Sequence, residues 1–348
     1  MSRTGPKVTV FMPVHNRETF VAASIRSVLD QSFEDFELLV IDDGSTDRSA
    51  EIVGSLDDHR IRLVHNESNL GIPRTRNRGL ELAQGEYIAL LDSDDLAYPQ
   101  RLALQVDYLN QNPEVAAVGS WAHRVSRTGE PRSSIQRPTL PRHLHARILF
   151  VSCLKNPTVM ARTDVMREFR YREDFKFCQD IELWSRVSSK YPLANLPRYL
   201  IQYRLGGDSH QDDALAVDLK KQVAGAQLHY LGVDYHESDL QGHHQLRNLN
   251  RFKPDAAYID WCEEWLLKLI ATNAKNHCYP EPEFTVAAAE RWYRLGLAAG
   301  PVALATRFFS SPTLRRTLPA LVTSLGVLGA NLAAAEFLGH TQPRARVE

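Results

Sequence analysis

The chain has 348 residues, a net charge of -1 at pH 7 and 24% charged residues. That length holds a full α/β catalytic domain plus an appendage. The balanced charge excludes the basic footprint of a nucleic-acid binder and the charge excess of a disordered chain. Four cysteines, Cys153, Cys178, Cys262 and Cys278, lie far apart without metal-ligand spacing and read as reduced thiols of a cytoplasmic protein. The segment Met1–Lys7 leads only into a short apolar strand, so no signal peptide is expected.

The first half alternates strand and helix. Lys7–Met12 is predicted as a strand ending at Pro13, and Glu18–Gln31 as a helix with Phe20, Ile25, Val28 and Leu29 on one side. Strands follow at Glu37–Ile41, Arg60–Val64, Glu86–Leu91 and Val115–Ser120, with helices at Asp47–Leu56, Pro73–Ala83 and Tyr98–Asn110. Continuous apolar strands between amphipathic helices predict a mostly parallel sheet covered on both faces with right-handed crossovers. Ligands of such sheets bind beyond the carboxyl ends of the strands.

From about residue 124 the pattern changes to a polar loop, Arg124–Arg142. A helix near His143–Phe150, a strand near Pro157–Ala161 and a helix over Asp180–Ser189 come next. Beyond Asp212 the pattern is nearly all helical, broken at Lys253-Pro254, Tyr279–Pro282 and Gly300-Pro301. The domain reading is a catalytic domain over 1–214, with a nucleotide-sugar half at 1–123 and an acceptor half at 124–214, then a helical region over 215–348. Within that region Thr317–Ala335 is uncharged and long enough to span a bilayer, but Pro319, Gly326, Gly329 and Asn331 interrupt it. It is read as a packed terminal helix, with a membrane-surface or partner-binding helix as the alternative.

Chemistry concentrates where strands end. Leu91-Asp92-Ser93-Asp94-Asp95 places three carboxylates in four residues after a buried strand. Such crowding costs free energy unless a cation sits among them, and hard oxygen donors suit Mg²⁺ or Mn²⁺. The competing reading is a solvated turn, with Asp94 or Asp95 capping the next helix. Asp42-Asp43-Gly44-Ser45 likewise reads as a turn and cap, or as acids that accept hydrogen bonds from a nucleobase or ribose. Arg74 and Arg76 open a helix whose dipole disfavours cations there, so an anion such as a diphosphate is expected close by.

Taken in order, these motifs resemble glycosyltransferase family 2. The resemblance runs through Pro13-Val14-His15-Asn16, Ser27-Val28-Leu29, Asp42–Asp47, Arg76–Leu80, Gly85–Ile88 and Leu91–Asp95. It covers residues 7–120 densely and resumes at Asn156–Met160 and Gln179–Arg186. It implies a GT-A fold (a Rossmann-like, mostly parallel sheet flanked by helices) that binds a nucleotide sugar and a divalent metal. It also implies that Pro13, Val14, His15, Asn16, Asp42 and Asp43 line the nucleoside site and that Arg76 lies near the diphosphate. Asp92 and Ser93 would face the donor, Asp92 and Asp94 would form the metal-binding pair, and Asp180 would be the catalytic base.

Four departures bear on the acceptor side. His15 stands where an aromatic is common, Gln179 precedes Asp180, and Glu168–Arg172 replaces a Gly-Gly-Phe. After Tyr203-Arg204 the usual histidine gives way to Gly206–His210, so His210 is read either as a substitute metal or phosphate contact or as part of a solvated loop. The resemblance implies inverting transfer from a nucleotide sugar, a UDP sugar by preference, to a hydroxyl of a glycan or lipid-linked glycan in bacterial polysaccharide assembly. The expected location is the cytoplasm, at the inner face of the membrane. A sugar nucleotidyltransferase is disfavoured because Met12–Arg17 holds no glycine. A nucleotide-sugar-binding scaffold without transfer activity is the non-enzymatic alternative.

Overall fold

The computed structural model describes residues 5–206, 214–300 and 311. The chain forms two compact units, Met1–His145 with Ser152–Val223, and Ala146–Val151 with Ala224–Glu348.

In the first unit, β1 (Val8–Val14), β2 (Phe36–Asp42), β3 (Ile61–His65) and β4 (Tyr87–Leu90) form a parallel group ordered β3-β2-β1-β4. The side chains of β1, β2 and β4 are almost all buried on both faces, as their unbroken apolar runs require, while β3 at the sheet edge is only half-buried. The helices α1 (Val21–Leu29), α2 (Ser49–Gly54) and α3 (Ile72–Leu82) connect them. In α1 the buried positions are Val21, Ser24, Ile25 and Val28, one stripe at helical spacing.

Register decides what meets at the carboxyl ends. Val14 lies opposite Asp42 on β2, and Phe11 opposite Leu90 on β4. The turn after β2 and the acid loop after β4 therefore flank the end of β1. Pro13 does not end the strand: it is paired in register with Ile41, because proline's fixed φ fits an extended chain and its missing N–H is tolerated near a strand end.

Beyond β4 the sheet becomes mixed. It continues with β8 (Met160–Arg162), β6 (Ala117–Val125), β9 (Leu193–Arg204) and β5 (Leu96–Ala97), and β7 (Pro131–Ile135) pairs off β6. β8 runs antiparallel to both β4 and β6, while β6 and β9 are parallel. The polar loop expected at Arg124–Arg142 thus contains an edge strand, exposed except at Ile135. The twelve-residue β9 was not legible as a strand at all.

Covering helices are α4 (Arg101–Gln111), α6 (Thr163–Phe169) and α7 (Gln179–Ser188). The chain passes between the units in α5 (Pro141–Arg147) and α8 (Ala214–Leu231). The second unit continues through α9 (Glu237–Arg247), α10 (Ala256–Asn276) and α11 (Glu283–Ala299). Among the described residues no helix is long and apolar enough to cross a membrane, and Thr317–Ala335 lies outside them.

Candidate active site

The loops after β1 and β2 are stitched together by side chains. His15 Nδ1–H donates to the Asp43 carbonyl at 3.0 Å, since a carbonyl can only accept. That tautomer leaves Nε2 to accept from the Asn16 amide at 3.4 Å. Asn16 adopts a left-handed φ of 51°, which asparagine tolerates better than most residues. Its Oδ1 accepts from Thr46 N at 2.8 Å, and its own N–H donates to Ser45 Oγ at 3.0 Å. Pro13 is half-buried and Val14 buried behind this turn.

Asp42 and Asp43 are both buried and hold the next loop in place. Asp43 Oδ1 accepts from Asn66 Nδ2 at 2.6 Å and Leu70 N at 2.9 Å, and Oδ2 accepts from Gly71 N at 3.1 Å. Three donors occupy a carboxylate with about four lone-pair sites, so Asp43 keeps one to offer. Asp42 accepts from Ser45 N at 3.3 Å and faces His65 Nδ1 at 3.4 Å. Gly71, at φ 82°, occupies the capping position of α3, so Asp43 also sets where that helix starts.

Two residues apart on α3, the paired arginines diverge. Arg74 points outward to Glu173 at 2.9 Å, whereas Arg76 is buried and donates to Asp92 Oδ1 at 3.2 Å. The Arg76 guanidinium lies 5.4 Å from the centre of the Tyr171 ring. Burial pushes this guanidinium down, and the fields of Tyr171, Asp92 and Asp180 more than offset it. The anions that the helix dipole called for beside Arg76 are thus Asp92 and Asp180. Asn77 receives Tyr171 N at 2.9 Å and donates to Tyr171 O at 2.8 Å, pinning that residue to α3.

The acid loop alternates. Asp92 and Asp94 are half-buried, while Ser93 and Asp95 face inward. Ser24 of α1 donates to the Ser93 carbonyl at 2.9 Å. Asp94 Oδ2 lies 3.7 Å from Arg17 Nε. Its carboxyl is pushed up by burial and by Asp92, with Arg17 and Arg204 opposing. Asp95 caps no helix: β5 intervenes before α4, and neither does Gln100 at the capping position supply a side-chain bond. Instead Asp95 Oδ1 accepts from Arg204 N at 2.8 Å, and burial raises its carboxyl well above the usual range. Arg204 Nε also donates to the Asp94 carbonyl at 2.9 Å and its NH1 to Arg127 O at 2.7 Å, with the guanidinium 4.9 Å from the Phe20 ring. One arginine therefore ties the acid loop to the β6–β7 hairpin.

Among the described residues no three His, Cys, Asp or Glu side chains converge as a ready-made metal nest. The donor set on offer is Asp92 and Asp94, two hard carboxylates on one turn. It fits Mg²⁺ or Mn²⁺, which take one or two carboxylates and complete their shell with water and phosphate. His210 lies outside the described residues.

Asp180 is the second residue of α7 and half-buried. It does not cap that helix: Cys178 holds the capping position at φ 58°, without a side-chain bond. One turn on, Trp184 Nε1 donates to Asn156 Oδ1 at 3.2 Å. Buried Glu182 accepts from Arg186 Nε at 2.6 Å, and Arg186 donates on to the carbonyls of Phe169 and Arg170 at 2.6 and 2.7 Å. These contacts brace the segment that carries Tyr171. Sequence reasoning missed Tyr171, Asn77 and Arg204 as site neighbours; Asn77 and Arg204 stood beside residues already singled out, and Tyr171 lay in the stretch that departs from Gly-Gly-Phe.

A mixed α/β sheet thus carries, beyond its strand ends, an acid loop and a buried arginine joined to it. The family model described as glycosyl transferase family 2 matches residues 9–172. An uncharacterized glycosyltransferase of Haemophilus influenzae is 30% identical over 250 residues, spanning 66% of this chain and 76% of that protein. An uncharacterized glycosyltransferase of Rickettsia bellii is 33% identical over 204 residues, 58% of this chain but 29% of that longer protein. Among solved structures, S. aureus TarS 1–349 in complex with UDP-GlcNAc superposes with a TM-score of 0.57 at 18% identity, over 84% of this chain and 90% of that one. The chain belongs to glycosyltransferase family 2 and has the GT-A fold with C-terminal helices.

Proposed function

We propose that this protein is an inverting, metal-dependent glycosyltransferase that moves a sugar from a UDP sugar to an acceptor hydroxyl in bacterial polysaccharide or glycan assembly. The observation that carries this reading is the burial of Arg76 within the fields of both Asp92 and Asp180. A cation is thereby held between an acid of the donor loop and an acid of the opposing helix, where the diphosphate and the anomeric carbon would meet. The UDP-GlcNAc bound to TarS supports the choice of donor.

In this reading Pro13, Val14, His15, Asn16, Asp42 and Asp43 hold the nucleoside, with Asp43 offering its remaining lone pair. Arg76, Asp92 and Ser93 face the diphosphate and sugar. Asp92 and Asp94 would hold Mn²⁺ or Mg²⁺, which when bound would neutralise charge on the leaving diphosphate. Asp180 accepts the proton of the acceptor hydroxyl as its oxygen bonds to the anomeric carbon. The bond from that carbon to the diphosphate oxygen breaks on the opposite face, and its electron pair leaves with the nucleotide. One base suffices for such a displacement.

The donor half is residues 1–123 and the acceptor half 124–214, where the hairpin tied down by Arg204 borders the acid loop. The acceptor is a glycan or lipid-linked glycan, met at the inner face of the membrane with the helical region 215–348 in peripheral contact. The test is a panel of nucleotide sugars and acceptors assayed with Mn²⁺, Mg²⁺ or EDTA. Metal-dependent nucleotide release with transfer is expected, and its loss in both Asp94→Ala and Asp180→Ala. Full activity of both variants would sink the assignment, and tight binding without transfer to any acceptor would favour a scaffold.

A further inference from the structure

Like charges gathered on one surface raise each other's free energy, and an anion seated among them removes that cost. The segment Arg124–Arg142 holds five arginines and a single carboxylate, Glu130, in a chain whose net charge is -1. It includes the hairpin of β6 and β7, whose tip, Arg127–Glu130, is exposed. Glu130 is taken by Arg132 at 3.1 Å. The guanidinium of Arg127 lies 5.7 Å from the centre of the Phe20 ring, and that of Arg204 lies 4.9 Å from the same ring. Two cations thus share one half-buried ring at the start of α1. Three residues before it, Arg17 approaches Asp94 Oδ2 at 3.7 Å, too far for a hydrogen bond. Glu18, the acid beside Arg17, is turned to Arg48 N at 3.1 Å. Among the described residues Asp94 is therefore the one carboxylate in ion-pair range of these three guanidiniums. Arg204 holds the group together, donating to Arg127 O at 2.7 Å and to Asp94 O at 2.9 Å.

We propose that Arg127, with Arg17 and Arg204 around Phe20, forms an anion subsite for the acceptor, and that the acceptor is a glycan carrying a phosphate group. The inference rests on the transferase reading above and adds the acceptor's chemistry to it. A guanidinium presents a planar fork of donors that matches phosphate oxygens, and an aromatic ring steadies it without using those donors. On that reading the donor diphosphate has its own arginine in the buried Arg76, which leaves the exposed rim to a second anionic group.

The test is calorimetry on the full chain loaded with UDP and Mn²⁺. The probes are N-acetylglucosamine joined through a diphosphate to a citronellyl chain, the α-phosphate of N-acetylglucosamine, and the neutral octyl glycoside of the same sugar. Both phosphate probes are expected to bind about tenfold tighter than the octyl glycoside at about 0.05 M salt, and to lose that margin at about 0.5 M. Preference for the citronellyl probe would assign the phosphate to a lipid carrier, and equal binding would assign it to the glycan; either result supports the subsite. Arg127→Gln is expected to weaken the phosphate probes about tenfold, with UDP affinity and melting temperature at wild-type values. Arg132→Gln, which removes an equal charge from the same hairpin, is expected to change little. Equal affinity for charged and neutral probes, or no binding of any probe by a protein that binds UDP, would overturn the inference. So would unchanged binding by Arg127→Gln, or an equal loss in Arg132→Gln, which would show diffuse charge rather than a seat. Failure of wild type to bind UDP with Mn²⁺ would overturn the transferase reading itself.

Discussion

Asp180 and Asp92 flank one buried arginine, and each is replaceable without touching the core. On the proposed mechanism Asp180→Asn removes the base but keeps its shape, so kcat should fall by about 10²–10⁴ while nucleotide affinity is retained. Calorimetry of UDP binding beside a transfer assay checks both halves. Arg204 makes a different kind of contribution, fixing the Asp94 backbone. Arg204→Gln should leave the protein folded but raise the Mn²⁺ concentration for half-maximal activity, read from a metal titration of the rate. Gly44 is constrained by its backbone: at φ 69° an added Cβ would sit 2.7 Å from Asn69 N. Gly44→Ala should cost about 2 kcal/mol or more, measured by denaturant unfolding, and weaken nucleotide binding through the loop that Asp43 holds.

The helix α4 shows how an element can brace a site it does not enter. Arg101 is buried at its first turn and donates to Leu90 O at 2.7 Å and Val159 O at 3.3 Å. Gln105, one turn on, accepts from Arg101 and donates to Val118 O at 2.9 Å and Thr158 O at 2.8 Å. The pair thereby joins the ends of β4, β6 and the turn before β8, just below Asp92 and Asn156. Burial pushes the Arg101 guanidinium down to about 9, with Asp95 and Asp92 opposing, so it remains charged at neutral pH. Arg101→Met would remove the short bond to the Leu90 carbonyl and the cation that faces the inward Asp95, at a cost of about 3–5 kcal/mol by urea unfolding. A similar logic governs α3, whose start is set by Asp43 and whose turn sends Arg74 to solvent and Arg76 inward.

For the molecule as a whole, the second unit carries a pH liability independent of catalysis. His243 is fully buried, with Nε2–H donating to Leu149 O at 3.0 Å and Nδ1 accepting from Trp265 Nε1 at 3.1 Å. Burial pushes its pKa down to about 3, with Arg247 adding to the effect. The unfolded chain binds a proton near pH 6.5 that the folded one refuses, so this contribution is whole above pH 6.5 and is lost as pH falls toward 3. Unfolding free energy should therefore drop through that window by up to a few kcal/mol, and less steeply in His243→Gln. In the first unit, a nucleotide that binds only the folded form should stabilise it by about 2.7 kcal/mol at a hundredfold excess over Kd. Thermal shift with UDP should accordingly be larger with Mn²⁺ than with EDTA.

Local sequence was enough to place the parallel half of the sheet. Apolar runs buried on both faces, helical stripes such as Val21-Ser24-Ile25-Val28, and polar breaks at strand ends each carry their signal within about ten residues. The motif order also led to family 2, and it singled out Asp92, Asp94, Arg76 and Asp180, of which the fold brings Arg76 onto Asp92. Tertiary structure alone decided the rest, because its causes are distant in sequence. β9 contains Pro197 and Arg198 in a half-exposed pattern and becomes a strand only by pairing with β6. β7 is an exposed edge with no apolar alternation to read. Asp95 turns inward because a backbone N–H at Arg204, far along the chain, arrives to meet it. Which anions surround Arg76, and that Tyr171 lies beneath it, follow from packing α3 against the 169–171 segment. A pattern of residue types can name such groups, but only the fold determines the distances that set their charges.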